Sequence, residues 1–553
     1  MTVVPLQQAL IIAGDHHRHG RLAEAQTIYA RVLEKYPGDA TALEGLGAIA
    51  LAQQNFAQAQ QFLEAALRKT GPMASSLNNL GLAFRGLGRG REAADCFQRS
   101  LALDPNSALT LMNLGQLLEQ QGRLDDGLAL LQRAAAVAGA NSGPFNALGN
   151  LLARLSRFEE AERAFRHALS LDPGNSRLLF NLANLYLKSD RLEDAVATYR
   201  ASIAADPDYF DPYHNLGHTY NELGQPADAE ACFRKGMELR PDDFNPHMSL
   251  GMTLIAQGRY QEGWREYQWR LHDKVQLPPR GFAQPAWQGE SLAGKRLLLC
   301  SEQGAGDAIM FTRYLSLLLA QGATVIVECL APLKRLFENI AGPEQVVLKG
   351  QTLPPFDVHV APIDLPLYFN TTVDTVPNQV PYLPWPTPEQ DQALQLGAPS
   401  GRRIGLIWAG NPNHRHDKWR SFHDVKLLAP LFDVPNTVFY NLQYGARGED
   451  FDQAGLAHRI VRLGDERIVD FWNLAGFVRQ MDLVISVDTA VCHLAGALGV
   501  PTWTLLAYGG EWRWMTGRED TPWYPTMRLF RQKVRGDWSE VIQRVAMALR
   551  ARP

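Results

Sequence analysis

The sequence has few of the features that mark a membrane, secreted or nucleic-acid-binding protein. No apolar run approaches the roughly 18 residues that a membrane span requires. Lysine and arginine number 54 against 58 aspartates and glutamates, a formal net charge of −4, so no basic excess indicates nucleic acid as a partner. The first residues, MTVVPLQQALIIAGDHH, lack a positively charged stretch before their short apolar run, and no secretory signal is expected.

Cysteine is also scarce, with five residues in 553 and no C-x-x-C spacing. The odd number and scattered positions favour reduced thiols inside a cytoplasmic protein over a disulfide framework or a zinc site. Apolar residues make up 46% and charged residues 20% of the chain, which is a globular composition. At about 150 residues per domain, the length allows three or four domains, or one repeat array with a catalytic unit.

A period of 34 residues runs through the first half. An aliphatic residue, always followed by alanine or glycine, recurs at this spacing: Ile12, Leu46, Leu80, Leu114, Leu148, Leu182, Leu216 and Leu250. A second alanine or glycine follows in each unit, and four positions after it comes a large residue: Tyr29, Leu63, Phe97, Leu131, Phe165, Tyr199, Phe233 and Tyr267. Proline closes most of the units.

Each unit predicts a pair of antiparallel helices, because small residues let two helices approach closely while the large residue fills the space beside them. One pair cannot bury its apolar face alone, so consecutive pairs are expected to stack into a solenoid with a concave groove. The pattern resembles the tetratricopeptide repeat (TPR), and we expect about eight units over residues 6–273.

Asparagines recur at one position of the first helix in these units: Asn79, Asn113, Asn181 and Asn215. Carboxamides along a groove donate to and accept from the backbone of an extended peptide. The series resembles the asparagine ladder in the TPR domain of the O-linked N-acetylglucosamine transferase family, and it predicts a peptide-binding groove. It is interrupted by Gly45, Ala147 and Ser249, and the alternative is that each asparagine bonds to its own neighbours.

Beyond residue 273 the period stops, and residues 274–295 predict a linker rich in proline and glycine. Short apolar runs then alternate with amphipathic stretches, which is typical of parallel sheets covered by helices. We predict two Rossmann-like α/β units, at 296–390 and 403–550, with ligands at the carboxyl ends of the strands. The predicted strands are 296–300, 323–329, 345–350, 356–361, 403–410, 437–443, 459–464, 483–488 and 502–508.

The turn after the first predicted strand carries Gly304, Gly306 and Asp307. Glycines at such a turn allow close approach of the backbone and leave helix N–H groups free for an anion. A carboxylate here would repel phosphate, but it suits deprotonation of an acceptor hydroxyl or amide that faces the cleft. The alternative is that Asp307 only caps the helix.

Three segments of the second α/β unit carry side chains suited to a ligand. Thr489 and the amides after it lie where a diphosphate would dock, and His493 lies one helical turn further on, as a phosphate contact or as a core histidine. The loop at 411–421, which includes Lys418, is dense in donors and cations and favours phosphate binding over a solvated loop. The rings in 511–514 and 523–524 either stack on a sugar or base or fill the core between the units.

Together the GAGD turn, the basic loop and the segment SVDTAVCHLAGALGVP resemble glycosyltransferase family 9, the heptosyltransferase group, over residues 296–535. The resemblance implies the GT-B fold, in which two Rossmann-like domains face a cleft. It implies that Asp307 is the catalytic base and that Lys418 meets the phosphates, although the basic loop is longer and differently spaced here. The residues implied to contact the diphosphate of the sugar nucleotide are Asp488, Thr489, Ala490 and His493.

No metal and no cofactor beyond the sugar-nucleotide substrate are expected. GT-A enzymes hold a divalent cation with a D-x-D motif, which occurs here at Asp206–Asp208, beside a proline that closes a repeat, and at Asp450–Asp452, in a polar stretch. Helix N-termini and cations are expected to neutralise the departing diphosphate instead.

The sequence therefore predicts a cytoplasmic bacterial glycosyltransferase, inverting and metal-independent, whose TPR groove recruits a polypeptide acceptor such as a surface or flagellar protein. A TPR array joined to a GT-B unit resembles the organisation of protein O-glycosyltransferases. Two alternatives stay open: a TPR scaffold with an inactive GT-B domain, and a transferase that acts on a lipid-linked glycan. The sugar, the nucleobase and self-association through the repeats are also left open.

Overall fold

The computed structural model describes residues 5–302, 304–397, 401–412, 417–443, 447–463, 466–509 and 511–551. The chain divides into two compact units, Met1–Pro212 and Tyr213–Pro553. The helices of the first half are α1 (Leu6–Arg18), α2 (Leu22–Lys35), α3 (Ala40–Ala52), α4 (Phe56–Thr70), α5 (Ala74–Gly86), α6 (Gly90–Leu103), α7 (Ala108–Gln120), α8 (Leu124–Val137), α9 (Ser142–Arg154), α10 (Phe158–Leu171), α11 (Ser176–Lys188), α12 (Leu192–Ala205), α13 (Phe210–Glu222), α14 (Pro226–Leu239), α15 (Phe244–Ala256) and α16 (Tyr260–Tyr267).

The helical pairs have the predicted packing of small against large residues. A Cβ added to Gly81 would lie 2.5 Å from the ring of Phe97, and one added to Gly217 would lie 2.6 Å from the ring of Phe233. Larger residues at these positions would overpack the pair, at a cost of about 1–3 kcal/mol each. The all-helical array predicted from the 34-residue period is confirmed.

The first parallel sheet has four strands in the order β3-β2-β1-β4. Its strands are β1 (Arg296–Leu299), β2 (Thr324–Cys329), β3 (Gln345–Leu348) and β4 (Val358–Val360). The helices between and after them are α17 (Ala305–Phe311), α18 (Leu315–Ala320), α19 (Lys334–Glu338) and α20 (Leu365–Tyr368). The predicted linker packs onto this sheet, since Trp287 is 1% exposed and Ala286 forms a parallel bridge with His359.

The second parallel sheet has six strands in the order β10-β9-β8-β5-β6-β7. Its strands are β5 (Arg402–Ile407), β6 (Thr437–Asn441), β7 (Val461–Arg462), β8 (Leu483–Val487), β9 (Thr502–Leu506) and β10 (Met527–Arg531). Its helices are α21 (Asp417–Arg420), α22 (Ala429–Phe432), α23 (Asp450–Gln453), α24 (Phe471–Val478), α25 (Ala490–Ala497) and α26 (Trp538–Arg550). β10 was not predicted, because MRLFR interrupts its apolar residues with an exposed arginine at the sheet edge.

The last repeats share a hydrophobic core with the α/β region. Tyr260 and Trp264 of α16 belong to one buried cluster with residues of both sheets. Trp264 packs edge-on against Trp512 at 5.4 Å and against Phe311 at 6.0 Å. The division between compact units accordingly falls within the repeat array, whereas the domain limits at 6–273, 274–295, 296–390 and 403–550 stay predictions.

The prediction of helical repeats followed by parallel α/β sheets is confirmed, whereas the GT-B assignment stays a prediction. Among the described residues, none of the helices combines the length and the apolar composition needed to cross a bilayer.

Candidate functional site

The amino-terminal ends of α17 and α25 meet in the second compact unit. Both helices follow a parallel strand, β1 and β8 respectively, at the edge where such sheets bind ligands. Gly306 of α17 lies directly against α25: a Cβ there would be 3.0 Å from Cδ2 of His493 and 3.5 Å from Cα of Ala490. A Cβ on Gly304, by contrast, would meet nothing within 4 Å. Only one of the two predicted glycines is therefore required for the approach of the helices.

Asp307 forms an ion pair with Arg513. Nε and Nη2 of Arg513 donate to the same oxygen, Oδ1 of Asp307, at 2.9 and 2.5 Å. The side chains are 12% and 19% exposed, respectively, so the pair is largely shielded from water. Nη1 of Arg513 also donates to Oε1 of Glu511, so one guanidinium group serves two carboxylates.

Arg513 interacts electrostatically with three carboxyl groups. Burial alone would lower the pKa of Arg513, but Asp307, Glu511 and Asp488 outweigh burial and raise it. Burial raises the pKa of Glu511 to about 7, with Arg513 opposing the shift and Asp488 and Asp307 adding to it. The cluster therefore holds three carboxyl groups around one permanent cation, and the pKa of Glu511 lies near neutral pH.

His493 is a buried, neutral side chain. It is 3% exposed, its Nδ1 lies 3.0 Å from the hydroxyl of Tyr524, and its ring stacks on Trp514 at 5.1 Å. Burial, reinforced by Arg513 and Arg313, lowers the pKa of His493 well below its usual value. A neutral imidazole supplies no positive charge to a phosphate, so any role of His493 toward a ligand is limited to hydrogen bonding.

The start of α25 carries the other predicted diphosphate contacts. Thr489 is the N-cap residue, and its hydroxyl lies 3.3 Å from that of Ser486 rather than on a backbone N–H of the helix. Asp488 and Ala490, on either side of it, are half-buried. The structure thus brings Asp307, Asp488, Thr489, Ala490 and His493 together around one helix junction, while their roles toward a nucleotide stay predictions.

Asp488, Cys492 and His493 bring one potential metal-ligand atom each to within 4.8 Å of one another. A thiol binds a metal as the thiolate, and burial, helped by Asp488, raises the pKa of Cys492 well above its usual value. Arg513 acts electrostatically on His493, and Arg420 acts on Cys492. A cation would therefore meet a protonated thiol and two guanidinium groups, which makes this cluster a poor fit for a metal.

Asp450 and Asp452, the aspartates of the second D-x-D motif, bond to other side chains of the protein. Oδ2 of Asp450 accepts hydrogen bonds from Nε1 of Trp408 at 2.9 Å and Nε of Arg447 at 2.8 Å. Asp452 forms an ion pair with Arg462. These contacts give both carboxylates a structural role.

Lys418 lies on α21, in the part of the basic loop that the structure describes; residues 413–416 lie outside the described residues. Its side chain is exposed, and Nζ lies 4.4 Å from the ring centre of Trp419. The neighbouring Arg420 is more enclosed, at 21% exposure, and a Cβ on Gly410 would be 2.7 Å from its Nη2. Arg420 acts electrostatically on Cys492 of α25 and lowers the pKa of its thiol, against the larger effect of burial.

The aromatic residues of 511–514 and 523–524 belong to the core. Trp512, Trp514, Trp523 and Tyr524 are at most 7% exposed. Of the two interpretations offered by the sequence, the structure supports the filling of the core between the sheets. Arg513 lies between two of these tryptophans and was overlooked as a site residue, because the sequence drew attention only to the rings.

Two of the four predicted groove asparagines bond within the array. Nδ2 of Asn113 donates to Oδ1 of Asn78, and Nδ2 of Asn181 donates to Oδ1 of Asn146, each at 2.8 Å. Asn113 is only 6% exposed. The other two predicted residues, Asn79 on α5 and Asn215 on α13, are half-buried. Asn113 and Asn181 thus bond to the preceding repeat, and peptide binding by the four asparagines stays a prediction.

The end of the repeat array is bonded to the loop that precedes α17, the helix of Asp307. Arg270, in the 3₁₀ turn after α16, is 2% exposed and donates from Nε and Nη2 to the two carboxylate oxygens of Glu302, at 2.7 and 2.9 Å. Its Nη2 also lies 2.7 Å from Oδ1 of Asp364. Because Glu302 lies in the loop between β1 and α17, this buried triad holds the turn against the last repeat.

Comparisons with known proteins establish the repeats. Models of the tetratricopeptide repeat match residues 16–73, 78–143, 152–217 and 210–243. The TPR assignment of these segments, predicted from the 34-residue period, is confirmed.

The relatives cover only part of the chain. Protein FlbA of Caulobacter vibrioides is 31% identical over 325 residues, which is 54% of this chain and 53% of FlbA. The chain thus spans about half the length of that curated relative. Among solved structures, the APC/C hetero-tetramer Cut9-Hcn1 matches at 16% identity and a TM-score of 0.39, covering 49% of this chain and 54% of that one. YrrB, described as a TPR protein with an unusual peptide-binding site, matches at 18% identity and a TM-score of 0.28, covering 33% of this chain and 95% of its own.

Proposed function

We propose that this chain is a glycosyltransferase of the GT-B type, which transfers a sugar from a nucleotide sugar to a polypeptide bound by the TPR repeats. The observation that carries the proposal is the junction of α17 and α25, where Asp307 meets Arg513. Arg513 also interacts with Asp488, immediately before α25. A carboxylate base and a cationic site for the leaving diphosphate are the two elements that metal-independent glycosyl transfer needs.

In the proposed reaction, Asp307 takes the proton of an acceptor hydroxyl or amide. The freed oxygen or nitrogen forms a bond to the anomeric carbon on the face opposite the diphosphate. The bond between that carbon and the diphosphate oxygen breaks, and its electron pair leaves with the nucleoside diphosphate, so the configuration is inverted. The guanidinium of Arg513 and the backbone N–H groups at the start of α25 would stabilise the departing charge.

The ion pair suggests an order of events. Both N–H groups that reach Asp307 come from Arg513, whose planar guanidinium also suits a phosphate. A diphosphate that recruits Arg513 would release Oδ1 of Asp307 for the acceptor. The proposed sequence is therefore donor first and acceptor second.

A TPR scaffold without catalysis is the second candidate. It is favoured by the direct packing of Gly306 on His493 and by the ion pair that already engages Asp307. In this case the α17–α25 junction would be a structural joint, and the established TPR segments would supply the function by binding another protein.

Nucleotide binding separates the two candidates. The thermal unfolding of the purified chain is measured with UDP, GDP, ADP, CMP or dTDP, with and without EDTA. A ligand present at 100 times its Kd stabilises the folded state by about 2.7 kcal/mol. We expect one of these nucleotides to raise the Tm whether or not EDTA is present. No shift with any of them at millimolar concentration would favour the scaffold.

Catalysis is then tested with Asp307→Asn. This variant should keep the nucleotide-induced rise in Tm and lose the release of nucleoside diphosphate from the matching nucleotide sugar, because the amide cannot accept the proton. Asp520→Asn is the matched control, since Asp520 also pairs with an arginine but is 69% exposed. Full turnover by Asp307→Asn would exclude the proposed base.

A further inference from the structure

A pocket opens at the carboxyl ends of β1 and β2, beside α17. It contains about 560 Å³ of empty space, counting the part open to solvent. Asp307 lines this pocket, so its contents adjoin the proposed base. The apolar walls include Leu299, Phe311, Leu315, Val327, Phe337 and Ile363.

Ser301 gives the pocket an unused hydrogen-bonding group. The residue is 6% exposed, and its Oγ has no hydrogen-bond partner among the described residues. The backbone N–H of Ser301 is held by Oε2 of Glu328 at 2.9 Å, which fixes the position of the residue. A buried hydroxyl without a partner costs about 1–3 kcal/mol, so its retention in the wall of a cavity points to a ligand that supplies the partner.

The polar side chains of the pocket carry negative charge. Glu302, Glu328 and Asp307 line it, and no lysine or arginine does so among the described residues. The cations that balance the two glutamates, Arg270 and Arg280, lie outside the lining. An anionic group placed here would face carboxylates, whereas an uncharged apolar group would not.

We infer that this pocket receives an uncharged apolar side chain of the polypeptide acceptor, next to the group that Asp307 deprotonates. The inference rests on the proposed function, and it names the chemistry of the acceptor. A polar atom of the acceptor bonds to Ser301, and the apolar side chain fills the space under α17. The carboxylates of the lining reject an acceptor with a phosphate beside the reacting group.

Saturation-transfer NMR with benzyl alcohol tests the pocket on the full chain, because this probe combines an apolar ring with one hydroxyl. We expect transfer to benzyl alcohol and none to benzoate, its anionic counterpart. Ala308→Leu fills the lining and should abolish the signal. Ala320→Leu makes the same change at the exposed end of α18 and should leave the signal intact. An unchanged signal in Ala308→Leu, or equal transfer to benzoate, overturns the inference.

Ser301→Ala is a second variant, and it tests the pocket without adding volume to its lining. Loss of its hydrogen bond should weaken the binding of benzyl alcohol about three- to tenfold. The Tm should stay level or rise, because a buried unpartnered hydroxyl is removed. Unchanged affinity in this variant would contradict the role of Ser301.

Competition identifies the acceptor class. We expect N-acetyl-phenylalanyl-serinamide to displace benzyl alcohol; displacement by geraniol and not by the peptide amide would replace the polypeptide with a lipid. The nucleotide experiment keeps the two proposals apart. Probe binding without any nucleotide binding leaves a pocket and rejects the transferase, while nucleotide binding with no probe binding rejects only the pocket.

Discussion

Arg513 donates two hydrogen bonds to a single carboxylate oxygen of Asp307, although 206 positions separate the two residues in the chain. The same guanidinium holds Glu511. One cation thus links the first turn of α17 to the segment after β9. Because charges in such a shielded place are stable only when paired, the integrity of the α17–α25 junction depends on this arginine.

Replacing Arg513 by glutamine should strongly destabilise the second compact unit. The change leaves Asp307 and Glu511 without their cation, and breaking a buried ion pair costs about 3–5 kcal/mol, with a value near the lower end expected for side chains that keep some exposure. All twelve tryptophans lie in the second unit, so urea unfolding followed by tryptophan fluorescence reports on it alone.

The double variant Asp307→Asn, Arg513→Gln provides the control for this prediction. Removing the negative charge as well should recover part of the lost stability, because one carboxylate fewer is left unpaired. Additive losses in the double variant would show that the two residues do not interact in solution.

The stability of the second unit should also depend on pH through Glu511. Burial raises the pKa of its carboxyl from 4.5 to about 7, so the folded state binds this proton more tightly than the unfolded state. The stability that the bound proton provides is complete below pH 4.5 and is lost as the pH rises through about 7. Glu511→Gln should remove that fall.

Measuring the tryptophan-detected urea midpoint between pH 5 and 8 checks this sign. The difference between Glu511→Gln and the unchanged chain should grow in favour of the variant as the pH increases. A difference that stays constant over this interval would mean that Glu511 is already ionised at pH 5.

The parts of this structure that repeat could be predicted from sequence, since local spacing decides them. Gly81 and Phe97 meet because a glycine and a large residue sixteen positions apart face each other within a helical pair, as Gly149 and Phe165 also do. Nine of the ten strands of the two sheets were likewise predicted from apolar runs, and β10 was the exception. Parallel pairing through β8 and β9 follows, because all five residues of each are buried.

Only part of the candidate site could be predicted, because sequence spacing reveals local motifs and not partners that lie far apart in the chain. Asp307 was predicted from the glycine-rich turn after the first strand. Thr489 was predicted from its place after the strand at 483–488. The partner of Asp307 had no local signal, since Arg513 lies among tryptophans in a segment typical of a core. The partner of Asn113 was hidden in a similar way, because Asn78 precedes the expected position by one residue and belongs to a different repeat.

The bond between Asn113 and Asn78 predicts a stability effect in the repeats. Asn113→Ala leaves Oδ1 of the buried Asn78 without its donor, which should cost about 1–3 kcal/mol. Asn106→Ala changes an exposed asparagine of the same repeat and should stay within about 0.5 kcal/mol of the unchanged chain. Urea unfolding followed by far-ultraviolet circular dichroism measures both, since the first unit contains no tryptophan.

The same asparagines allow a test of the peptide ladder. The pair Asn78→Ala, Asn146→Ala removes the same two hydrogen bonds as Asn113→Ala, Asn181→Ala but keeps the predicted groove residues. A ladder predicts that only the second pair weakens the binding of an acceptor polypeptide. Equal weakening by both pairs would assign these asparagines to the packing of the repeats.

Gly304, the N-cap of α17, and Gly306, in the first turn of that helix, lead to opposite predictions. A Cβ on Gly306 would press on the ring of His493, which cannot yield easily because Trp514 stacks on it and Tyr524 bonds to it. Gly306→Ala should therefore cost about 1–3 kcal/mol from overpacking, partly offset by up to about 1 kcal/mol of helix propensity. Gly304 has an ordinary φ of −72° and open space around it, so Gly304→Ala should change stability by less than about 0.5 kcal/mol.

The tryptophan-detected urea midpoints of the two variants test whether α17 and α25 are in contact in solution. If Gly306→Ala is as stable as Gly304→Ala, the two helices are apart, and the cleft between them is open before any ligand binds.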